Sequence, residues 1–348
     1  MELYIMNQSF ETIAVIDAYS SVIWTKRYFT CGDFELYLPV TLELLNTLAV
    51  GNFVYRLDDD TVMIIEKIQI STDVEKGNYL IVTGRSLESI LAKRIVWTVS
   101  SFNADIVYII RYLLNSNVIN PSIAERKIDN FSFTSLVAST ETIQKQVTGD
   151  NLMDTIVNLC TTYELGWRIK LENGNFKFEL YQGVDRSYNQ TINSHVVFSP
   201  IFDNLINSNY ELDSTNYANV ALIAGEGEGT ARKRQTVGNA SGLNRCEIYV
   251  EANDLSTNTE QPLTDAEYNS MLVERGTEKL AETIVTKKFE GDVETHNTYV
   301  YRRDWNIGDI VQIENEFGIT ATSRILEIIE SEDESGYSVI PTFEEWEV

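Results

Sequence analysis

The sequence predicts a β-rich α+β protein of several domains: two small β-barrels flank an α+β module, and a helix-containing insertion interrupts the second barrel. Three observations carry this. Residues 1–95 hold many short β-branched and aromatic runs separated by turn residues. Residues 96–204 switch to helical spacing and then reach Asn173-Gly174, a strong hairpin signal. Finally, Thr264-Asp265-Ala266-Glu267 is a capping box that opens a long helix between two further sets of strands.

In the first block, strands are predicted at 12–16, 21–25, 34–38, 53–57, 62–70 and 79–83. Asp58-Asp59-Asp60 and Glu75-Lys76-Gly77-Asn78 join strands at hairpin distance. Thr41 caps a short helix over 42–48, with Gly51 just beyond its end. In the module, Ser101 or Asn103 caps a helix whose Ile106, Val107, Ile110, Leu113 and Leu114 share a face. Asp150 caps a second helix that turns Leu152, Ile156, Leu159, Cys160 and Tyr163 inward, with Gly166 past its end. Strands at 167–171 and 176–181 surround the Asn173-Gly174 turn.

Residues 205–230 return to strand, and 231–260 are loop-rich. The capped helix follows Pro262, carries Leu272, Leu280, Ile284 and Val285 inward, and is expected to end near Phe289, before Gly291. Strands are predicted at 299–301, 310–313 and 324–329. Simple alternation in the last puts Ile325 and Glu327 on one face and Leu326 and Ile328 on the other. The expected domains are 1–95, the first barrel; 96–204, the α+β module; 205–230 with 291–348, the second barrel; and 231–290, the insertion.

The chain has 348 residues, 43% hydrophobic, with a formal net charge of −25. That balance opposes tight binding to nucleic acid, where affinity comes largely from Lys and Arg on phosphates, and to an anionic membrane surface. Met1 to Gln8 lack a basic and apolar leader pattern, so no secretory signal is expected. Asp105 and Arg111 bracket the short apolar run 106–110, which is too short to span a membrane. Cys31, Cys160 and Cys246 are far apart and odd in number, which predicts free thiols made in a reducing cytoplasm.

The sequence presents no residue pattern of a catalytic, cofactor-binding or metal-ligating site. His195 and His296 have no partner histidine at helical spacing. Gly84-Arg85-Ser86-Leu87-Glu88 fails the nucleophile-elbow pattern at its last position. Asp58-Asp59-Asp60 lacks the alternating ligands of a calcium loop and is expected to be a solvated hairpin tip. In Gly225-Glu226-Gly227-Glu228-Gly229 a phosphate would meet two carboxylates. With 52 acidic residues, the sequence neither nominates nor rules out the carboxylate pair of a glycosidase. Trp24, Trp97, Trp167, Trp305 and Trp346 serve equally as core, as interface anchors or as a sugar platform. After Arg324 the chain carries Glu327, Glu330, Glu332, Asp333, Glu334, Glu344, Glu345 and Glu347, with no Lys or Arg. These acids form a solvated face and tail, or some of them, or Asp58–Asp60, project into a central channel.

Four segments, in order, resemble the tail-hub, or baseplate-hub, family of siphophages: residues 32–39 (Gly-Asp-Phe-Glu-Leu-Tyr-Leu-Pro), 84–92 (Gly-Arg-Ser-Leu-Glu-Ser-Ile-Leu-Ala), the strand, acidic loop and basic patch from Asn219 to Arg234, and 305–311 (Trp-Asn-Ile-Gly-Asp-Ile-Val). Gly308 in the last is expected to need permissive backbone dihedrals. The resemblance implies a structural, non-enzymatic protein with no cofactor, located at the tail tip of a virion. It implies two tube-like barrels per chain and a homotrimer that forms a pseudo-hexameric ring. It further implies contacts with a distal tail protein, a tape-measure protein and tip or fibre proteins, with DNA only as passing cargo. The alternatives are a tail-associated peptidoglycan-degrading enzyme and a carbohydrate-binding receptor module.

Overall fold

The computed structural model describes residues 1–73, 77–138, 142–257, 263–293, 298–318 and 320–344, with backbone alone at 73, 206–208 and 286–293. The expected turn at Glu75-Lys76, the end of the polar run 253–261, Pro262, His296, Glu345, Trp346 and Glu347 lie outside the described residues.

Strands β1 (Leu3–Met6), β2 (Thr12–Ile16), β3 (Ser21–Arg27) and β4 (Asp33–Pro39), helix α1 (Leu42–Thr47), and strands β5 (Phe53–Tyr55), β6 (Val62–Asp73) and β7 (Gly77–Ser86) make the first half. Thr41 caps α1 as the sequence indicates, its Oγ1 accepting from Leu44 N at 3.1 Å. The strand order is β2-β1-β5-β6-β7-β4-β3, antiparallel throughout. β2 and β3 stand at opposite ends of this half, yet Ile16 and Trp24 bury in one cluster with Leu36, Met63, Ile65 and Val82. The half therefore curls around its own core. Alternation along β6 splits its side chains: Met63 and Ile65 face that core, whereas Val62 and Ile64 enter the core of the following module.

The module comprises β8 (Ser100–Asp105), α2 (Ile106–Leu114), β9 (Phe131–Ser135), β10 (Thr142–Val147), α3 (Leu152–Thr162), β11 (Gly166–Glu172) and β12 (Asn175–Tyr181). β8 pairs with β10, and β9-β12-β11 form a second small sheet. The inward residues of both helices match the sequence pattern, but the caps differ. Residues 100–105 pair as a strand, so Asp105, rather than Ser101 or Asn103, caps α2. Asn151, one residue after Asp150, caps α3 by accepting from Met153 N and Asp154 N. Asn173 and Gly174 have φ of 51° and 75°, as a tight hairpin turn needs.

The second half contains β13 (Val197–Phe198) and β14 (Leu205–Asp213). After β14 the chain leaves to form β15 (Val220–Ala224), β16 (Arg234–Val237), β17 (Glu247–Glu251) and α4 (Asp265–Ala281), then returns as β18 (Thr286–Val293), β19 (Ile310–Glu314), β20 (Thr320–Asp333) and β21 (Gly336–Phe343). Its order is β14-β18-β21-β20, with β19 on β20 and β13 on β19. Here too the edge strands meet through a shared core: Phe198 and Leu205 bury with Val311, Ile325, Ile328 and Val339.

Several expectations are corrected here. No sheet closes among the described residues, and the two halves are not separate barrels. The 14 residues of β20 are long enough to pair with β19 at their start and with both β21 and β3 further on. The result is one 13-stranded sheet running through both halves. β15, expected in the second barrel, pairs with β16 and β17 in a sheet of its own. α4 stops at Ala281 and not near Phe289, because β18 pairs with the edge of β14. Residues 299–301 contribute only an isolated bridge, Tyr301 to Trp305. A bulge between Ile325 and Glu327 breaks simple alternation, so Ile325 and Ile328 both face inward.

Candidate functional site

The two halves and the module meet at a seam, and three of the four segments singled out in the sequence converge there. Tyr28, fully buried, follows β3 and lies edge-on to Tyr181 of β12 at 5.4 Å. Its neighbours are tight: a Cβ at Gly166 or at Gly308 would strike the Tyr28 ring. Gly308 also has φ of +86°, so the expectation of permissive dihedrals holds. Trp167 Nε1 donates to Phe29 O at 2.6 Å, tying the module to the first half. Gly32 N donates to Ser86 Oγ at 2.8 Å, and Ile169 N donates to Glu88 Oε1 at 2.7 Å. Burial pushes the Glu88 carboxyl above its ordinary range. Asp309 accepts from Val184 N, Arg186 Nε and Asn306 N, which fixes the entry into β19.

The acidic run at 58–60 lies at the same seam. It was expected to be solvated, and Asp58 and Asp60 are exposed, but the Asp59 side chain is buried and accepts from Lys26 Nζ at 2.6 Å and Arg302 Nη2 at 2.9 Å. Asp58 accepts two bonds from Arg56, at 3.0 and 2.7 Å, and one from Arg302 at 2.6 Å. Asp60 faces Arg168 and Lys170 at 3.3 and 3.1 Å. Glu330 of β20, also fully buried, pairs with Arg302 at 2.6 Å and Arg56 at 3.1 Å and accepts from Tyr337 Oη. Glu179 pairs with Arg168 and Lys170. Five carboxylates thus meet five cations. Burial alone would raise the Asp59 pKa, but Lys26 and Arg302 overcome it and hold the group at about 2.

Beside this network lies a cleft of about 390 Å³, lined in part by Asp60, Arg168, Arg302 and Asp309. Its charged groups are already neutralised by one another, so it offers no lone nucleophile or base. Removing one member would leave an uncompensated buried charge. The arrangement works as a mechanical joint: Arg302, from the second half, is held by the first half's hairpin. Nothing local in the sequence signals this, because the partners of Asp59 stand 33 and 243 positions away. Neither Asp59 nor Glu330 is available to line a channel.

The remaining sequence candidates lie elsewhere. His195 is exposed, bonds Gln190 O and stacks edge-on with Tyr188. Cys31 and Cys160 are buried, and burial pushes both thiols up. Trp24, Trp167 and Trp305 are core, whereas Trp97 is half exposed. The fourth segment closes the small unit made by β15–β17 and α4. Gly225 permits Tyr268 and Leu272 to pack directly on the loop, and Glu226 N donates to Tyr268 Oη at 2.8 Å. Glu226 accepts from Thr257, and Lys233 lies between Glu226 and Asp265. The loop is therefore committed to its own helix. This unit meets the module through polar contacts: Lys145 with Glu278, Tyr163 with Glu274, and Ser256 N with Gln146 Oε1 at 3.1 Å. Among the described residues, no group of three His, Cys, Asp or Glu side chains is placed to hold a metal ion. Also among them, no helix is long and apolar enough to cross a membrane.

Comparison with known proteins places this architecture. No curated protein matches the sequence. The fold is similar to that of a 43 kDa tail protein of prophage MuSo2 from Shewanella oneidensis, with a TM-score of 0.61, 11% identity, and 99% of this chain and 98% of that chain covered. It is equally similar to a tail protein from Neisseria meningitidis MC58, with a TM-score of 0.61, 12% identity and 99% and 96% covered. Prophage tail protein gp18 from Listeria monocytogenes EGD-e follows, at 0.55, 10% identity and 98% and 94% covered. The model of the family described as siphovirus ReqiPepy6 Gp37-like protein matches residues 2–343, and the chain belongs to that family.

Proposed function

We propose that this chain is the structural hub at the tip of a phage tail, forming a trimeric ring that continues the tail tube. The observation that carries the proposal is the single sheet with two self-curled halves, locked in fixed relation by the ion-pair joint. Three copies would place six similar halves around an axis. A six-fold tube can then stack on one face while a three-fold tip sits on the other. On this view residues 1–95 supply one tube-like half, and 205–213 with 286–344 supply the other. The module 96–204 acts as a brace, and 214–285 project from it. Each half then completes in the ring the tube-like barrel that it leaves open alone.

The neighbours in this proposal are a distal tail protein, a tape-measure protein and tip or fibre proteins. DNA passes through without being held, because a net charge of −25 repels phosphate. The role is mechanical and not catalytic. Purified tails test it: three copies of this chain per tail, imaged as a ring at the tip, are expected. Any other copy number, or a position along the tube wall, would overturn it. A zymogram on peptidoglycan separately tests the enzymatic alternative, and clearing by the purified chain would favour it.

A further inference from the structure

Most of this chain's arginines are consumed internally. Arg27, Arg56, Arg85, Arg168, Arg186, Arg232, Arg245, Arg275, Arg302, Arg303 and Arg324 each pair with a carboxylate of the same chain. Among the described residues Arg94, Arg111, Arg126 and Arg234 do not; Arg111 and Arg126 belong to the module, and Arg94 stands just before it. Arg94 and Arg126 lie near one another. Arg126 Nη2 donates to Ile95 O at 2.7 Å and to Asn117 Oδ1 at 3.2 Å, and its guanidinium lies over the Trp97 ring at 5.0 Å. Asn117 is almost fully buried and also accepts from Trp97 N, so one side chain positions both the arginine and the tryptophan. The Arg94 side chain donates to Lys93 O, and its Nε is buried without a partner. Burial and then the Arg94 charge push the Arg126 pKa down, as expected for like charges with no acid between them.

Apolar surface adjoins these cations. Ile95, Trp97 and Val99 are 41%, 54% and 56% exposed at alternate positions, while Val96 is buried. Free cations beside an apolar strip fit a partner that brings a carboxylate and an apolar side chain together. A bare phosphate would leave the strip wet.

We propose that Arg94, Trp97 and Arg126 form the socket through which one copy of this chain accepts an acidic, apolar-bearing segment of a second copy. The identity of the occupant follows from charge. Copies that each carry −25 repel, so any contact between them must match local opposites. The cations left unpaired within one chain are those able to receive a neighbour's carboxylates, and this face holds two of them beside a tryptophan. The inference rests on the ring assembly above and names the surface that would hold it together.

Sedimentation of the purified chain up to about 1 mM tests it, with acrylamide quenching of Trp97 fluorescence read in parallel and a Trp97→Phe control. Self-association that shields Trp97 from quencher is expected. The variant R94E/R126E should weaken association at least about tenfold while still folding, as its circular dichroism would show. R234E/R245E makes the same charge change on the inserted unit and should leave association near that of the parent. Equal weakening by both variants would reduce the effect to general repulsion and overturn the socket. A weakening by neither, or a parent chain that stays monomeric to 1 mM, would overturn it as well. The hub proposal is tested on whole tails, so either failure leaves that test to stand or fall by itself.

Discussion

Asp59 shows how far one side chain's role can lie from its sequence context. Three consecutive acids between two strands read as a solvated turn, and only the fold reveals Lys26 and Arg302 closing over the middle one. Asp59→Asn would leave two partly buried cations short of a partner, and urea denaturation is expected to show a loss of about 3 kcal/mol. Its acid dependence has a definite sign. The folded pKa of about 2 lies below the ordinary 3.8, so the stabilisation is complete above about pH 4 and is lost as pH falls towards 2. Thermal melts should therefore fall more steeply between pH 4 and 2 in the parent than in Asp59→Asn, and parallel curves would refute the pairing. Glu88 carries the opposite sign. Burial raises its folded pKa, so its contribution is complete below the ordinary 4.5 and is lost as pH rises. Glu88→Gln should flatten the stability profile on the neutral side, measured as the urea midpoint from pH 5 to 8. Gly308 was legible where Asp59 was not, because backbone permissiveness is a local property and ion pairing across the chain is not.

Elements that announce themselves locally were read closely. The Thr264-Glu267 capping box is present with both of its reciprocal bonds, and Thr264→Ala should cost about 1 kcal/mol, seen as faster amide exchange in the first turn of α4. The far end of the same helix was misread for a physical reason. Ile284 and Val285 continue the helical apolar period, but they are β-branched and lead into a segment that finds the free edge of β14. β20 presents the same problem in another form. Its bulge after Ile325 is invisible to a period-of-two pattern, and its length lets a single strand serve three partners. The turn before β19 supplies a sharp test. Gly308→Ala must place a side chain at φ +86° against Tyr28, and a drop in stability of about 2 kcal/mol or more is expected from denaturant melts.

At the scale of the whole molecule, composition argues against tight nucleic-acid binding, and hydrophobic pattern located two strand-rich ends around a mixed centre. Which strand pairs with which is decided by residues hundreds of positions apart, such as Trp24 opposite Glu330, and no local pattern records that choice. Continuity of the sheet implies that its two halves unfold together. The unit of β15–β17 and α4 has its own core and touches the module through polar groups, so it should open at lower cost. Native-state hydrogen exchange is expected to show one common rate limit for β3, β4, β20 and β21 and faster exchange across 220–281; a single limit for all would contradict this. That unit departs from β14 and comes back on β18, two strands zipped side by side. An excursion that begins and ends at one spot can be lengthened, trimmed or traded between related phages while every ladder in the frame keeps its spacing. It is the place on this scaffold where novelty is cheapest to try.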